Sequence, residues 1–599
     1  MTIDELKNLD TSKFTRAADG WSAVSNRAAA SRGRVDNEML GKLRGTQEGD
    51  AAKAALRDLD QLSANYRYIH SECGLIRTAL SGLAEELAAP QRKLKQALEE
   101  AQSLKFTVKS DGSVEYPKTA STPAPLVPTP AAPGAMPSLL KPDSTPDPNH
   151  AKAQDIANRI GEAIKEATEI DGRYARALAK LNTDGNLKNT DLKDVASDVR
   201  DVRAAAGKHF SDSKIPKGKS PKENAQWWKN LPQAERDEYT ALYPASIGAL
   251  DGLPATVRDE ANRTVLAEAQ LDVAQQIKKH EDDEPKKYEQ KYNPHTGLPQ
   301  GVKQTTREWD EWNEKRKILE ERQKGMKAIE ARFERTGDRG LPEAYLLGID
   351  TEGRGHAIIA NGNPDTARHT GVYVPGTGAR LGDIQNGMGR AESLWRASAK
   401  IDPANSVSTI SWYGYDAPRT VEKDAPFRHY ADDAAPAVNQ FFAGLNAAHE
   451  PGPHHTTVVA HSYGTVVTGS AARQGTLPVD DVVFAGSPGA QVGRASEMDV
   501  PAGHVWNERA EGDGAVGTWG QFSHGKREWH WRTGVDFVVP SDRRFGANQM
   551  ATDTEGHGGY WDYDNKTDVG SLSIKNQARV ITGHYDEVEL KNDVPKRSK

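Results

Sequence analysis

Ser462 lies where an apolar run meets a helical pattern. The run TTVVA (456–460) leads directly into HSYG (461–464), and TVVTGSAAR follows. A strand, a sharp turn carrying a serine and a helix form the nucleophile elbow, written G-x-S-x-G. Small residues flank the serine because the turn brings the strand and helix backbones close together; here Ala460 occupies the first of these positions. The pattern predicts Ser462 as the nucleophile of an acyl-transfer reaction.

Two other serines fit the same A-x-S-x-G pattern. Ser31 lies in a helical region without a preceding strand, and Ser487 is followed by Pro488. The residue after the nucleophile must donate its N–H to the oxyanion hole, and proline has no N–H. Tyr463 has one, so the pattern favours Ser462 and makes Tyr463 an oxyanion donor. The alternative role for Ser462 is that of a structural serine at a helix N-cap.

The second oxyanion donor should come from a loop that follows an earlier strand. The run TGVYV (370–374) leads into PGTG (375–378), whose glycines allow the backbone to turn its amides toward a ligand. We predict the Thr377 N–H as this donor. An ordinary glycine turn is the alternative.

A nucleophilic serine needs a base, and the base needs an acid that orients it. Behind an elbow of this kind the chain order is Ser, then Asp or Glu, then His. Asp513 follows the apolar run HVWNE (504–508) and is the predicted acid, with Glu511 and Asp536 as rivals.

His557 is the predicted base because it lies in a glycine-flanked loop, EGHGGY, well after the predicted acid. The glycines allow the imidazole to reach across to the serine. The other histidines considered are His524, His530 and His584. None of the histidine pairs has the i, i+4 spacing of H-E-x-x-H, so we predict neither a metal site nor a cofactor.

Short apolar runs alternate with helical patterns from about residue 340 onward. The runs are YLLGI (345–349), HAIIA (356–360), TGVYV (370–374), STISWYG (408–414), TTVVA (456–460), DVVFA (481–485) and HVWNE (504–508). This alternation predicts an α/β fold with a mostly parallel sheet and helices on both faces. Only TEGRG separates the first two runs, so we expect them to form an antiparallel hairpin at the sheet edge.

All-α regions are predicted before this sheet. Residues 1–105 show apolar positions spaced alternately three and four apart, which predicts a helical hairpin. Residues 106–150 are rich in proline and have no apolar period, so we expect a disordered linker. Residues 151–340 read as a helical region, and 341–599 as the catalytic domain.

Composition limits the partners of the 599-residue chain. Its net charge is −7 and its pI about 6.2, whereas nucleic-acid binders usually have a basic face or a high pI, so no nucleic-acid partner is predicted. No run of ~18 apolar residues is present, so no transmembrane helix is predicted. The N-terminal sequence MTIDELKNLD lacks the pattern of a cleaved signal peptide.

Six sequence blocks lie between residues 227 and 590: WW…IGALDGLPATVRDEANR, VPGTG, VVAHSYGTVV, VVFAGSPGA, RFGA and GHGGYWD. Together they resemble an actinobacterial α/β-hydrolase family long catalogued only as a domain of unknown function. The resemblance implies an α/β-hydrolase fold, and it assigns serine-hydrolase roles to Ser462, Asp513 and His557. The family usually has glycine where this chain has Ala460, and it also places an aspartate near Asp536.

The N-terminal hairpin is similar to the WXG-type helical hairpins of type VII secretion. The letters QEG (47–49) occupy the place of W-x-G, and the export pattern Y-x-x-x-D/E fits twice, from Tyr68 and from Tyr585. The resemblance implies a helical partner protein and secretion without a cleaved signal peptide. Cytoplasmic residence is the alternative.

The sequence as a whole predicts a serine hydrolase that cleaves an ester or related acyl bond of a small-molecule or lipid substrate. Two other functions stay open at this point. One is a non-catalytic interaction protein linked to type VII secretion, and the other is a peptidase on the same fold.

Overall fold

A computed structural model describes residues 1–40, 42–43, 49–117, 126–127, 148–181, 192–207, 210–299, 301–514, 523–530 and 534–591. The chain forms two compact units. The first comprises Met1–Arg32, Ala64–Asp212 and Asp237–Leu242; the second comprises Gly33–Ser63, Ser213–Arg236 and Tyr243–Lys599. Within the described ranges, no helix combines the length and apolar composition that a bilayer span requires.

Five helices account for most of the N-terminal third of the chain. They are α1 (Ile3–Asn8), α2 (Ser12–Arg34), α3 (Asp50–Ser103), α4 (Pro148–Lys180) and α5 (Leu192–Ala206). A π-helical turn, Val35–Leu40, continues α2. Short strands follow α3 at Thr107–Val108, Val114–Glu115 and Leu126–Val127.

The N-terminal residues run antiparallel to α3 within the first unit. Ser25 Oγ donates to the His70 carbonyl at 2.8 Å, and Gln91 Nε2 donates to the Leu6 carbonyl at 3.0 Å. Later residues of the N-terminal segment thus contact earlier residues of α3, which is the antiparallel arrangement that a helical hairpin would have. Residues 44–48, which lie between these two segments in the sequence, are outside the described residues, and the resemblance to secretion hairpins stays a prediction.

Helix α4 also packs antiparallel to α3. The Lys93 ammonium lies 2.7 Å from Glu166, and the Tyr174 hydroxyl donates to Glu86 at 2.6 Å. Residues on both sides of the predicted Pro-rich linker thus belong to one unit. Most of that linker, 118–125 and 128–147, lies outside the described residues, so its predicted disorder stays a prediction.

A buried acidic pair makes the stability of the first unit depend on pH. Glu72 of α3 is only 2% exposed. Burial, and then the charges of Asp198 and Asp194 on α5, raise the pKa of Glu72 to about 8. The pKa of Asp198 is raised to about 6, also chiefly by burial. In the folded unit these carboxyls hold protons that an unfolded chain would release.

We therefore expect the free energy of unfolding of this unit to fall as pH rises from about 4.5 to about 8. A raised carboxyl pKa means that the folded state binds more protons between the unfolded and folded pKa values, so Glu72 costs ~1.4 kcal/mol per pH unit over this range, and Asp198 contributes only up to about pH 6. Glu72→Gln should flatten the slope of unfolding free energy against pH, and because it stabilises the unit at pH 8 it should slow the hydrogen exchange of α3 there. Glu99→Gln, on the exposed face of α3, should change neither. Both effects are measured by the hydrogen exchange of α3 amides as a function of pH, corrected for the intrinsic exchange rates. A slope that is unchanged in Glu72→Gln would contradict the raised pKa of Glu72.

Nine further α-helices lie in the rest of the chain, counted over the described residues alone. They are α6 (Pro221–Asn230), α7 (Gln233–Leu242), α8 (Pro244–Gly248), α9 (Ala255–Asp282), α10 (Arg307–Phe333), α11 (Ile384–Ile401), α12 (His429–Ala448), α13 (Tyr463–Gln474) and α14 (Leu572–Ile581) among the described residues. A small antiparallel pair, Tyr288–Glu289 with Gln304–Thr305, lies between α9 and α10.

The second unit is built on an eight-stranded sheet. Its strands are β1 (Ala344–Asp350), β2 (His356–Asn361), β3 (His369–Val374), β4 (Val407–Tyr413), β5 (His455–His461), β6 (Asp481–Ala485), β7 (Val505–Glu508) and β8 (Asn548–Met550). Their order across the sheet is β8-β7-β6-β5-β3-β4-β2-β1.

Only β2 runs against the other strands of this sheet. It pairs antiparallel with β1 and with β4, and the remaining neighbours pair in parallel. The predicted mostly parallel sheet and its antiparallel edge hairpin are confirmed. Because β5 lies at the centre with neighbours on both sides, its carboxyl end is where an α/β sheet presents a ligand site.

Helices cover both faces of the sheet, as expected. Successive residues of a strand point to opposite faces. On β4, Ser411 faces Gly387 of α11, whereas the Trp412 ring lies 6.2 Å from that of Phe441 on α12. Helix α11 therefore covers one face and α12 the other.

Helix α9 caps the sheet edge at β1. Asp259 Oδ1 accepts from the Leu346 N–H at 2.8 Å, and Asn262 Nδ2 donates to the Leu346 carbonyl at 3.0 Å. Arg263 Nη2 donates to the Ala344 carbonyl at 2.9 Å. An edge strand exposes unpaired backbone groups, and these side chains satisfy them. The boundary predicted at residue 340 thus falls inside the second unit, because the edge strand needs α9.

Candidate active site

Ser462 forms the tip of a tight turn between β5 and α13. Its backbone has φ 53° and ψ −125°, a conformation that L-residues rarely adopt. A Cβ added to Gly464 would lie 2.4 Å from the Val374 carbonyl oxygen, and one added to Gly376 would lie 2.6 Å from Ser462 Cβ. Both positions therefore require glycine, which explains the small residues that the sequence pattern singled out.

Asp513 and His557 are in contact. His557 Nδ1 lies 2.8 Å from Asp513 Oδ1, and the Asp513 side chain has no exposed surface. A carboxylate can only accept, so Nδ1 carries the proton and Nε2 of the neutral ring is left as an acceptor. This is the tautomer that a general base for a serine requires.

Tyr560 holds the second oxygen of Asp513. Its hydroxyl donates to Asp513 Oδ2 at 2.6 Å and accepts from the Ala510 N–H at 3.0 Å. Burial and this hydrogen bond raise the pKa of Tyr560, so its hydroxyl stays a donor. Sequence reasoning missed Tyr560, although it stands three residues after His557 in the block GHGGYWD.

Gly486 makes room for the acid–base pair at the end of β6. With φ +60°, it lies so close that an added Cβ would be 2.8 Å from Asp513 Oδ2 and 3.1 Å from His557 Nδ1. Any side chain here would push the pair apart. The glycine belongs to the block VVFAGSPGA, which contributed to the family resemblance and to the rejection of Ser487, but sequence reasoning gave Gly486 itself no role.

The rival acids lie elsewhere. Asp536 is in the strand Gly534–Val538 of a hairpin with Lys526–His530, and its carboxylate pairs with Arg544 at 2.8 Å. The Glu511 side chain is exposed, while its carbonyl accepts from the Gly556 N–H at 3.0 Å and so supports the loop of His557.

Ser487 is a structural residue. It is 2% exposed, its hydroxyl lies 2.8 Å from the Thr465 hydroxyl, and it accepts from the Gly489 N–H at 3.2 Å. These contacts brace the first turn of α13 behind the elbow.

Two other histidines have structural contacts, and the side chain of His530 lies outside the described residues. His524 Nε2 donates to the Ala425 carbonyl at 2.6 Å, and burial lowers the pKa of the ring. His584 lies beside the Thr582 hydroxyl at 2.9 Å. His524 therefore secures part of the cavity lining, and among the candidate histidines whose side chains are described, only His557 contacts the predicted acid.

A cavity of about 1180 Å³ opens at this end of the sheet. Ser462, Tyr463, Thr377 and His557 all line it. Its apolar lining residues include Val421, Ala425, Pro426 and Pro488, and its polar lining residues include Asn386 and Arg390.

Thr377 and Tyr463 lie where their amides can act together. A Cβ on Gly376 would be 3.0 Å from the Tyr463 amide nitrogen, so the loop that carries Thr377 passes directly over the start of α13. The next amide along that loop is already used, because the Gly378 N–H donates to the Pro418 carbonyl at 2.7 Å. This supports Thr377 over Gly378 as the second donor.

His461 ties the nucleophile turn to the loop of the base. Its Nε2 donates to the His557 carbonyl at 2.8 Å, and its Nδ1 accepts from Arg390 Nη1 at 3.3 Å. Burial, and then the charge of Arg390, hold the pKa of His461 well below its usual range, so the ring is neutral. Sequence reasoning passed over His461, since the elbow pattern allows any residue there.

Comparison with known proteins agrees with this architecture. A family model described as alpha/beta hydrolase matches residues 350–519. That span covers β2 to β7, including the elbow and Asp513. The match and the sheet together establish an α/β-hydrolase fold and support a hydrolase.

The relatives are mycobacterial. The chain is 30% identical over 311 residues to the uncharacterized protein Rv2079 of Mycobacterium tuberculosis, a match covering 50% of this chain and 44% of the relative. It is 34% identical over 175 residues to the uncharacterized protein Mb0988c of Mycobacterium bovis, covering 28% of this chain and 65% of the relative. The match to the first thus spans less than half of that relative's length.

Proposed function

We propose that this protein is a serine hydrolase that cleaves an ester or related acyl bond through an acyl-enzyme on Ser462. The observation that carries the proposal is the Asp513–His557 pair, 2.8 Å apart, whose histidine opens onto the same cavity as the strained elbow serine. Strained backbone persists where the surrounding structure holds it, and it clusters at active sites; here it presents a serine to the cavity that the oriented imidazole of His557 also lines.

In the acylation step, Ser462 Oγ forms a bond to the substrate carbonyl carbon while its proton passes to His557 Nε2. Asp513 stabilises the imidazolium that results. The carbonyl oxygen becomes an oxyanion, which the amides of Thr377 and Tyr463 stabilise by hydrogen bonds. The bond to the leaving alcohol oxygen then breaks, and that oxygen takes the proton from His557.

Water completes the cycle. It gives a proton to His557 Nε2 as its oxygen bonds to the acyl carbon of the Ser462 ester. The second tetrahedral intermediate collapses, the carboxylic acid leaves, and Ser462 Oγ regains the proton. No metal or redox group is needed at any step, because the two amides and the imidazole supply the charge stabilisation and the proton transfers.

Two assays test the proposal on the full chain. A fluorophosphonate probe should label the protein covalently at Ser462, and a series of p-nitrophenyl esters of increasing acyl length should be hydrolysed. Peptide p-nitroanilides serve as the comparison, and we expect them to turn over far more slowly. Faster cleavage of the anilides would instead make the protein a peptidase, and absence of both labelling and turnover would make it a non-catalytic protein.

A further inference from the structure

Arg390 brings a guanidinium to the lining of the catalytic cavity. It lies on α11, and its Nη1 donates to the Tyr373 hydroxyl and to His461 Nδ1. Its guanidinium carbon lies 4.7 Å from the centre of the Trp561 ring and 5.5 Å from that of Tyr373. Cation–π contacts with the Trp561 and Tyr373 rings and the hydrogen bonds of Nη1 thus hold the Arg390 side chain in place.

The charge of Arg390 is not neutralised within the described part of the chain. Both of its hydrogen bonds use Nη1, which leaves Nε and Nη2 as a free fork of donors beside the cavity. None of the described carboxylates lies within ion-pair distance of it.

The carboxylates that do line the cavity are compensated in other ways. Asp383, seven residues before Arg390 on the same side of α11, pairs with Arg380 Nε at 3.1 Å. Glu422 also lines the cavity, but it is exposed, so solvent screens its charge. Among the described residues that line the cavity, Arg390 is therefore the partly buried charged side chain that has no ion-pair partner.

We infer that the substrate carries an oxyanionic group, a carboxylate or a phosphate, which the Nε and Nη2 donors of Arg390 bind while the ester lies at Ser462. The inference rests on the proposed hydrolase function. A guanidinium fork matches two oxygens of such a group, and its low hydration suits a partly buried site. The apolar lining residues Val421, Ala425 and Pro426 would then hold the uncharged part, so the cavity selects an amphipathic ester.

Matched pairs of esters test this in the wild-type protein. On the acyl side, the mono-p-nitrophenyl ester of adipate is compared with p-nitrophenyl hexanoate, which lacks only the terminal carboxylate. On the alcohol side, 4-butanoyloxybenzoate is compared with 4-butanoyloxybenzamide. In at least one pair, we expect the charged ester to have the higher kcat/KM by roughly tenfold to a hundredfold, the range of a charge-assisted hydrogen bond.

Substitution of Arg390 then assigns the preference. Arg390→Gln should remove it, chiefly through KM of the charged ester, and Arg390→Lys should restore part of it. Lys423→Gln, which removes one positive charge from an exposed position beside the lining residue Glu422, should leave the preference intact. Circular dichroism and fluorophosphonate labelling confirm that each variant is folded.

Competing anions identify the group. Inorganic phosphate and acetate are each tested as inhibitors of the hydrolysis of the neutral esters. The anion that inhibits the wild-type protein but not Arg390→Gln identifies the chemical group that Arg390 binds. Two results would overturn the inference: wild type shows no preference in either pair, or Arg390→Gln loses the same fraction of kcat/KM on the charged and the neutral ester. Either result would leave Arg390 as a positioning residue for His461. Absence of hydrolysis and of labelling in wild type would instead reject the proposed function.

Discussion

Ser462→Ala is expected to abolish fluorophosphonate labelling and to lower kcat for ester hydrolysis by about 10³-fold or more, because the nucleophile and its base act as one unit. The substitution removes only Oγ and leaves the oxyanion amides of Thr377 and Tyr463 in place, so the remaining turnover measures what those amides achieve alone. Labelling followed by gel fluorescence, together with steady-state kinetics on a p-nitrophenyl ester, measures both effects.

Ser487→Ala is the matched control, since it removes a hydroxyl from the other serine that fits the pattern at a strand end. Its hydroxyl hydrogen-bonds to Thr465 rather than lining the cavity. We expect full labelling, with at most a modest loss of stability. A Ser462→Ala protein that still labels and hydrolyses normally would show that the elbow is not the catalytic turn.

Asp513→Asn should fold normally and lose most of its activity, by up to ~10⁴-fold in kcat, the cost of losing the acid in a well-studied triad. The asparagine amide group can donate to Nδ1 and so favours the tautomer in which Nε2 carries the proton and cannot accept one from Ser462. Tyr560 would also lose its charged acceptor. Kinetics on a p-nitrophenyl ester and circular dichroism separate this effect from unfolding.

Asp536→Asn tests the rival assignment. Asp536 pairs with Arg544 on a hairpin, and its side chain is 41% exposed, so we expect near wild-type activity. An inactive but folded Asp536→Asn beside an active Asp513→Asn would reverse the two roles.

The sheet was predictable because its signals are local. Each buried parallel strand is a short apolar run in the sequence, as TTVVA is for β5, and chain order alone placed an acid and a histidine after the serine. That inference selected Asp513 and His557, which the structure places in contact. Sequence reasoning could also reject Ser487, because the absence of an N–H on Pro488 follows from the residue type alone and needs no knowledge of the fold.

The residues that surround the triad were not predictable in this way. Arg390 lies in an ordinary helical pattern, and its contact with His461, 71 residues away, depends on how α11 packs against the sheet. Gly486 is needed only because Asp513 and His557 converge above it. The contacts between α9 and the edge strand β1 were not predictable for a related reason, since the unpaired backbone of an edge strand leaves no mark in a hydrophobicity pattern.

At Ser462, the residue type that the proposed activity requires is not the one that would make the protein most stable to heat. Holding a non-glycine residue at φ 53° costs on the order of 1–3 kcal/mol, a sizeable part of the marginal stability of a folded protein. Glycine would adopt that conformation without strain but would lack the hydroxyl. A screen of variants for heat resistance alone would therefore favour glycine here and recover proteins that are more robust and chemically inert.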